Sequence, residues 1–145
     1  MARITIRVYG LLRDQGRVLV ADEVVRGQRI TKFPGGGLEY GEGPRDTLVR
    51  EIHEELGMEA LALEHFYTTD LFQRSAFHVE EVQVLAIYYT FRVEDPAAIP
   101  VDGGPATGAN AIERFRWLDL RTAAVEAVSL PLDRVVLRML IEGRP

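Results

Sequence analysis

Residues 30–58 read ITKFPGGGLEYGEGPRDTLVREIHEELGM, and three kinds of backbone follow one another in them. Ile30 to Phe33 has the composition of a short strand. Pro34-Gly35-Gly36-Gly37 then takes away the side chains and the donor that a helix or a regular strand requires, so a specialised loop begins there. Gly43-Pro44 supplies a break with proline at a first-turn position, and Arg45 to Leu56 reads as a helix closed by Gly57 as its left-handed cap. On a helical wheel Leu48, Val49, Ile52 and Leu56 share one arc of about 100°, while Glu51, Glu54 and Glu55 share another arc of about 100° well away from it. One face packs and the other carries carboxylates.

Like charges three and four residues apart on a helix repel by some tenths of a kcal/mol. Solvent absorbs that cost on an ordinary helix face; a divalent cation absorbs it better. Mg²⁺ is held by a few carboxylates and keeps waters and substrate phosphate oxygens in its remaining positions. Three glycines running into a carboxylate helix let backbone approach a bound anion closely. Other phosphate and metal motifs fail on spacing. Gly36 and Gly41 begin like a phosphate-binding loop, but Glu42-Gly43 stands where Lys and Ser or Thr are required. His53-Glu54 begins like a zinc-protease helix, yet Gly57 occupies the second histidine position, and no G-x-G-x-x-G can be completed.

Gly36, Glu42, Arg50, Glu51, Ile52, Glu54, Glu55, Gly57 and Met58 match G-x5-E-x7-R-E-U-x-E-E-x-G-U, with U aliphatic, at every fixed position. That pattern is the Nudix box, and the chain resembles the Nudix hydrolase family over Gly36 to Met58; Phe33-Pro34-Gly35 and Trp117-Leu118 also resemble family features. The resemblance implies an α/β (α+β) fold, the family's αβα sandwich with a mixed β-sheet. It implies that Glu51, Glu54 and Glu55 bind Mg²⁺ or Mn²⁺ with help from the Gly35 carbonyl, and that Arg50 and Glu42 orient those carboxylates. It implies cleavage of a nucleoside diphosphate linked to another group X, with water attacking one phosphorus. Glu54 or Glu55 is the expected ligand and base, and Glu80 or Glu81 is a candidate for an additional acidic ligand or base.

Phe33, Gly35, Gly36 and Gly37 are the expected substrate-binding positions. Phe33 divides evenly between base stacking and packing, whereas Tyr67, Phe72 and Phe77 read first as core. His53 and His78 read as surface residues. The region Phe72-Gln73-Arg74-Ser75 lacks the proline that resembles the ADP-ribose branch. An oxidised or ordinary nucleoside triphosphate is therefore the preferred substrate, with ADP-ribose and sugar nucleotides next; a nucleotide-sensing module without turnover is the alternative of another class.

Around this segment the chain reads as one domain over residues 1–145. Ile4, Ile6 and Val8 alternate with Thr5 and Arg7, lead to a turn at Asp14-Gln15-Gly16 and return through Val18-Leu19-Val20 as an opening hairpin. Leu61 to Leu71 and Val82 to Val93 are strands, the second expected to be fully buried. Asp95 to Ala109 is a long Pro- and Gly-rich loop, Ile112 to Leu118 a last strand, and Leu132 to Ile141 a helix with apolar residues at 132, 135, 136, 139 and 140. Cysteine is absent, which excludes disulfides, thiolate metal sites and a cysteine nucleophile. Met1 to Tyr9 has no signal-peptide core and no stretch approaches a membrane span, so a cytoplasmic protein with no membrane partner is expected. The formal charge of −5 argues against duplex nucleic acid as partner. That charge is local: residues 39–59 hold seven acidic and two basic side chains, and the rest of the chain balances at fifteen of each. A small nucleotide is the expected partner, and a homodimer is compatible with the sequence.

Overall fold

Glycine-bearing turns and alternating apolar residues set most of the strand boundaries. The computed structural model describes residues 2–75, 81–101 and 113–143. The chain gathers into two units, Met1–Leu12 with Pro34–Glu94, and Arg13–Phe33 with Asp95–Pro145.

In the first unit, β1 (Arg3–Asp14) contributes its residues up to Leu12. They pair in parallel with β6 (Val82–Arg92), from Arg3↔Val82 to Leu12↔Phe91, and Arg7–Tyr9 pair antiparallel with β4 (Gly35–Gly37). The glycine loop is therefore a short strand, contrary to the irregular loop expected from its composition. Pairing with β1 supplies the order that side chains do not: a Cβ on Gly35 would run into the Val8 carbonyl oxygen, and the Gly35 φ of 147° is one that L side chains rarely adopt. α1 (Pro44–Leu56) starts at Gly43, whose N–H donates to Asp46 Oδ2 at 2.9 Å, and ends at Gly57 with φ 68°. Its buried residues are Thr47, Leu48 and Ile52, while Val49 is exposed, so the packed arc sits one position earlier than the wheel suggests. Thr47 belongs to it because its hydroxyl donates to Glu42 Oε1 at 2.8 Å.

β5 (Leu61–Thr68) pairs antiparallel with β6, with register shifts between Leu61 and Glu64 and between His65 and Tyr67. Along β6 buried and half-buried residues alternate, so the expectation of a strand buried on both faces is corrected. Val8, Leu11, Leu12, Leu48, Ile52 and Tyr88 form the core here, each burial worth roughly 1.5–3 kcal/mol for the aliphatic side chains.

In the second unit, Arg13 and Asp14 pair with Val18 and Arg17 of β2 (Arg17–Val25) around a turn with positive φ at Gln15 and Gly16. The opening hairpin exists, but it holds only these two residue pairs; the long partner of β1 is the distant β6. β3 (Gln28–Lys32) returns along β2 after a turn at Arg26-Gly27, and β7 (Glu113–Asp119) pairs with β2 from Arg17↔Asp119 to Glu23↔Glu113. Ile112 of the expected last strand, and residues 102–109 of the expected loop, lie outside the described residues. α2 (Pro131–Ile141) buries Leu132, Val136, Leu137 and Leu140 together with Asp133. Asp133 Oδ2 accepts the Phe33 N–H at 3.2 Å, and Thr31 exchanges hydrogen bonds with Ser129 at 2.8 and 2.9 Å. The strands thus pair in both senses and, among the described residues, two α-helices accompany them, an α/β architecture with a mixed sheet. No helix among the described residues is long and apolar enough to cross a membrane.

Candidate active site

Arg50, midway along α1, gathers the polar groups of the loop and helix. Its Nε donates to Glu42 Oε2 at 2.6 Å and its Nη2 to Glu42 Oε1 at 3.1 Å, a two-point clasp. Nη2 also donates to the Gly37 carbonyl at 3.1 Å, and Nη1 to Glu51 Oε1 at 3.2 Å and Glu54 Oε2 at 3.4 Å. The guanidinium is therefore committed in every direction, tying Glu42, Glu51, Glu54 and the Gly37 carbonyl to one group.

Glu42 is the anchor of this clasp. Hydrogen bonds from Arg50 hold its carboxyl down at about 2 against the upward push of desolvation, with further lowering from the Thr47 hydroxyl and the Glu39 N–H. Arg50 is pushed up in turn, chiefly by its bonds to Glu42, again against desolvation. With Oε1 accepting from three donors, Glu42 has little left to offer a ligand.

Glu51 sits directly above the glycine strand. A Cβ built on Gly36 would fall onto the Glu51 carboxylate, with Oε2 at 2.9 Å and the other atoms closer still. Only glycine leaves room for that carboxylate. Glu54 projects outward with its side chain 56% exposed, and both oxygens of Glu55 are shielded from solvent. Among the described residues no three acidic or histidine side chains are gathered into a ready ligand set for a metal ion. The donor chemistry nevertheless suits a hard divalent cation: carboxylate oxygens at helix positions 51, 54 and 55, and a cradle at Gly36 that a side chain would fill.

The remaining sequence-based candidates fall in different places. Gly35 is buried in β4 opposite Tyr9. Phe33 is completely buried, so of the two roles left open for it, base stacking and packing, its ring is seen packing. Phe72, expected in the core, is instead 67% exposed. The Tyr67 hydroxyl donates to Asp70 Oδ1 at 2.7 Å, and burial followed by the Asp70 carboxylate pushes its ionisation up. His53 is exposed on α1, and Glu81 is exposed beside Arg74 at 3.7 Å. Phe77, His78 and Glu80 lie outside the described residues. Thr47 is a member of the candidate site that the sequence reading did not single out; a hydroxyl five residues after Glu42 at the start of the helix was the available signal.

The family model of the NUDIX domain matches residues 1–139. The chain belongs to the NUDIX family. Among solved structures, this NUDIX chain is similar to a NUDIX hydrolase from Nitrosomonas europaea, with a TM-score of 0.69 and 20% identity over 97% of this chain and 90% of that one. It is similar to the E. coli ORF135 protein, with a TM-score of 0.66 and 22% identity over 99% and 95% of the two chains. At these identities the likeness concerns the fold, and it matches the mixed sheet with two helices. Among curated proteins, an RNA pyrophosphohydrolase of Saccharophagus degradans is 46% identical over 48 residues, which are 33% of this chain and 28% of that protein. An RNA pyrophosphohydrolase of Acinetobacter baylyi is 42% identical over 48 residues, with the same coverage. The match thus spans less than a third of the length of these relatives.

Proposed function

We propose that this NUDIX chain, acting as a single domain, is a pyrophosphohydrolase dependent on Mg²⁺ or Mn²⁺ that cleaves a nucleoside diphosphate linked to another group, with a nucleoside triphosphate, oxidised or ordinary, as the preferred substrate. The observation that carries the reading is the placement of the Glu51 carboxylate over Gly36, locked there by Arg50. Glu51, Glu54 and Glu55 would hold the cation, aided by the Gly35 carbonyl. When bound, the cation neutralises charge on phosphate oxygens and makes water a better nucleophile.

The protein's own part is positional and basic. Arg50 fixes the Gly37 carbonyl, Glu42 and Glu51 as one rigid set. Glu54, or the shielded Glu55, accepts a proton of the attacking water; the new P–O bond forms as the bridging P–O bond breaks, and the bridging oxygen departs on the other half of the anhydride, as pyrophosphate or a nucleoside monophosphate when the substrate is a nucleoside triphosphate. Absence of cysteine and a nucleotide substrate agree with a cytoplasmic location.

A second reading has its own support. The relatives named RNA pyrophosphohydrolase match over 48 residues, and a triphosphate at an RNA 5′ end carries the same anhydride. ADP-ribose and sugar nucleotides complete the substrate alternatives. The test is release of phosphate or pyrophosphate from a panel of nucleoside triphosphates, ADP-ribose, sugar nucleotides and a 5′-triphosphorylated oligoribonucleotide, with and without Mg²⁺. Turnover of at least one member that needs the metal and falls by two orders of magnitude or more in Glu55→Gln supports hydrolysis. Tight nucleotide binding with no turnover would instead support a sensing module.

A further inference from the structure

β2 is the middle strand of the second unit, with β3 on one side of it and β7 on the other. In their register Asp22 stands between Thr31 of β3 and Arg114 of β7, Val24 stands opposite Arg29, and Val20 opposite Arg116. Side chains directly opposite share a face of a sheet, and so do residues two apart along a strand. Arg29, Arg114 and Arg116 therefore leave one face together, around Asp22 and Thr31. Three arginines against one aspartate give these strands an excess of positive charge on that face, in a chain whose formal charge is −5.

The centre of the group is satisfied from within, and its flanks are open. Arg116 Nε donates to Asp22 Oδ2 at 2.7 Å and Nη2 to Asp22 Oδ1 at 3.3 Å, while the Thr31 hydroxyl donates to Oδ1 as well. Burial pushes the Asp22 carboxyl up, but the bonds from Arg116 and Thr31 outweigh it and hold the group below its ordinary range, so it stays ionised and occupied. Arg29 and Arg114 are exposed, and no hydrogen bond or ion pair among the described residues ties either side chain down. Arg116 spends only Nε and Nη2 on Asp22 and Thr31, and its side chain is 42% exposed.

The chemistry of the face selects its partner. Val24, at 51%, is the exposed apolar side chain among the described residues of this face. A protein partner needs a desolvated core of aromatic and apolar anchors, which one valine does not supply. A nucleic acid strand has no such need, because phosphate contacts dominate its affinity, and arginine is the side chain best shaped for phosphate. Arg114 and Arg116 stand about 7 Å apart along β7, and Arg29 stands about 10 Å away across the sheet, so three guanidinium groups can meet separate phosphates of one strand. Such a short platform suits a flexible single strand; a duplex would bring a broad array of phosphates to a chain of net negative charge.

We propose that Arg29, Arg114 and Arg116 form a surface that holds the sugar–phosphate backbone of single-stranded RNA. The choice of RNA rests on the hydrolytic reading, in which a triphosphate at an RNA 5′ end is one of the candidate substrates. The contact itself needs neither metal nor turnover.

The test is fluorescence anisotropy of an unstructured RNA of ~12 nucleotides, without metal, at salt concentrations from about 50 to about 200 mM. Three phosphate contacts predict a slope of log affinity against log salt near about −2, a fall of roughly 20-fold over that range. The double variant Arg29→Gln, Arg114→Gln should bind more weakly, with a slope near about −0.7 and a fall of roughly threefold. Arg29→Lys with Arg114→Lys keeps the charge and should keep the parental slope. Because both side chains are exposed and untied, the melting temperature of each double variant should match the parent protein. Failure of the RNA to bind, parental affinity and slope in the glutamine variant, or tighter binding of a duplex of the same length overturns the proposal. So does equal binding of poly-glutamate, or self-association of the protein that the glutamine variant abolishes while RNA binding is unchanged. RNA binding through Arg29 and Arg114 in a protein that hydrolyses nothing would sustain this surface and overturn the proposed hydrolysis; hydrolysis of nucleotides by a protein that holds no RNA would do the reverse.

Discussion

Replacing Gly36 by alanine separates the demands of the fold from those of the chemistry. Gly36 is not among the glycines with positive φ, so alanine fits its backbone. What the new methyl meets is the end of one flexible side chain, the Glu51 carboxylate. To regain ordinary contact that carboxylate must withdraw by roughly 1 Å. The withdrawal sacrifices the 3.2 Å bond from Arg50, worth about 0.5–1.5 kcal/mol, while the lower chain entropy of alanine returns about 0.4–1 kcal/mol. Stability should therefore change by less than ~1 kcal/mol, which moves Tm by no more than about 4 °C. Catalysis has no such compensation. A misplacement of that size in a reacting centre costs about 10²-fold, equivalent to about 2.7 kcal/mol in kcat/KM. Gly35→Ala is the contrast: its methyl meets the Val8 carbonyl and lies 2.7 Å from the Tyr9 Cα, both backbone, at φ 147°. That variant should lose about 3 kcal/mol or more of stability. Thermal melts and kcat/KM measured side by side on both proteins decide the matter. A folded Gly36→Ala with parental kcat/KM in Mg²⁺ would refute the claim that Glu51 must stand where it does.

Arg50→Lys keeps the charge but cannot make the two-point clasp on Glu42 together with the bonds to Gly37 and Glu51, so kcat/KM should fall about 10–100-fold with the fold retained by circular dichroism. Glu42 gives a pH signature. Its folded carboxyl sits at about 2, below the usual 4.5, so the stability it contributes is full above about pH 4.5 and is lost as pH falls toward 2. The Tm difference between the parent and Glu42→Gln should accordingly be largest near neutral pH and shrink on acidification; a gap that widens in acid would contradict the assigned clasp. Asp133→Ala leaves the buried Phe33 N–H without its acceptor and should cost about 1–3 kcal/mol in urea unfolding without changing the metal dependence of activity.

Local chemistry made the box helix legible: Pro44, Gly57 and the carboxylate arc all act within one or two turns, and the helix bounds differ by a single residue from those expected. Long-range pairing was not legible. Period-two alternation in Ile4, Ile6 and Val8 announces a strand but not that its partner is Val82–Arg92, and the nearby turn at Gln15-Gly16 makes the hairpin the more obvious reading. The glycine strand escaped for a related reason, because its order comes from β1 and not from its own residues. Wheel geometry identified Leu48 and Ile52 but placed Val49 inside, and on α2 it selected positions 135 and 139 where Leu137 is the buried residue; what covers a helix decides the edge of its apolar arc. For the site, residue types were readable, whereas the contact of Gly36 with Glu51 and the convergence of Arg50 on Gly37, Glu42, Glu51 and Glu54 exist only once strand and helix are packed. Phe33, open to stacking or packing on sequence, is enclosed, and Phe72, expected in the core, is exposed, because sequence alone does not say which aromatic ring a sheet encloses.

The central claim is that water is added to a phosphate anhydride at this helix. Turnover of the best nucleotide in H₂¹⁸O, with the products analysed by mass spectrometry, tests it most directly. One ¹⁸O atom should enter one of the two phosphate-bearing products, only when a divalent cation is present, and the reaction should be suppressed by EDTA and by Glu55→Gln. No labelled product from any nucleotide, or labelling indifferent to EDTA and to Glu55→Gln, would contradict the account.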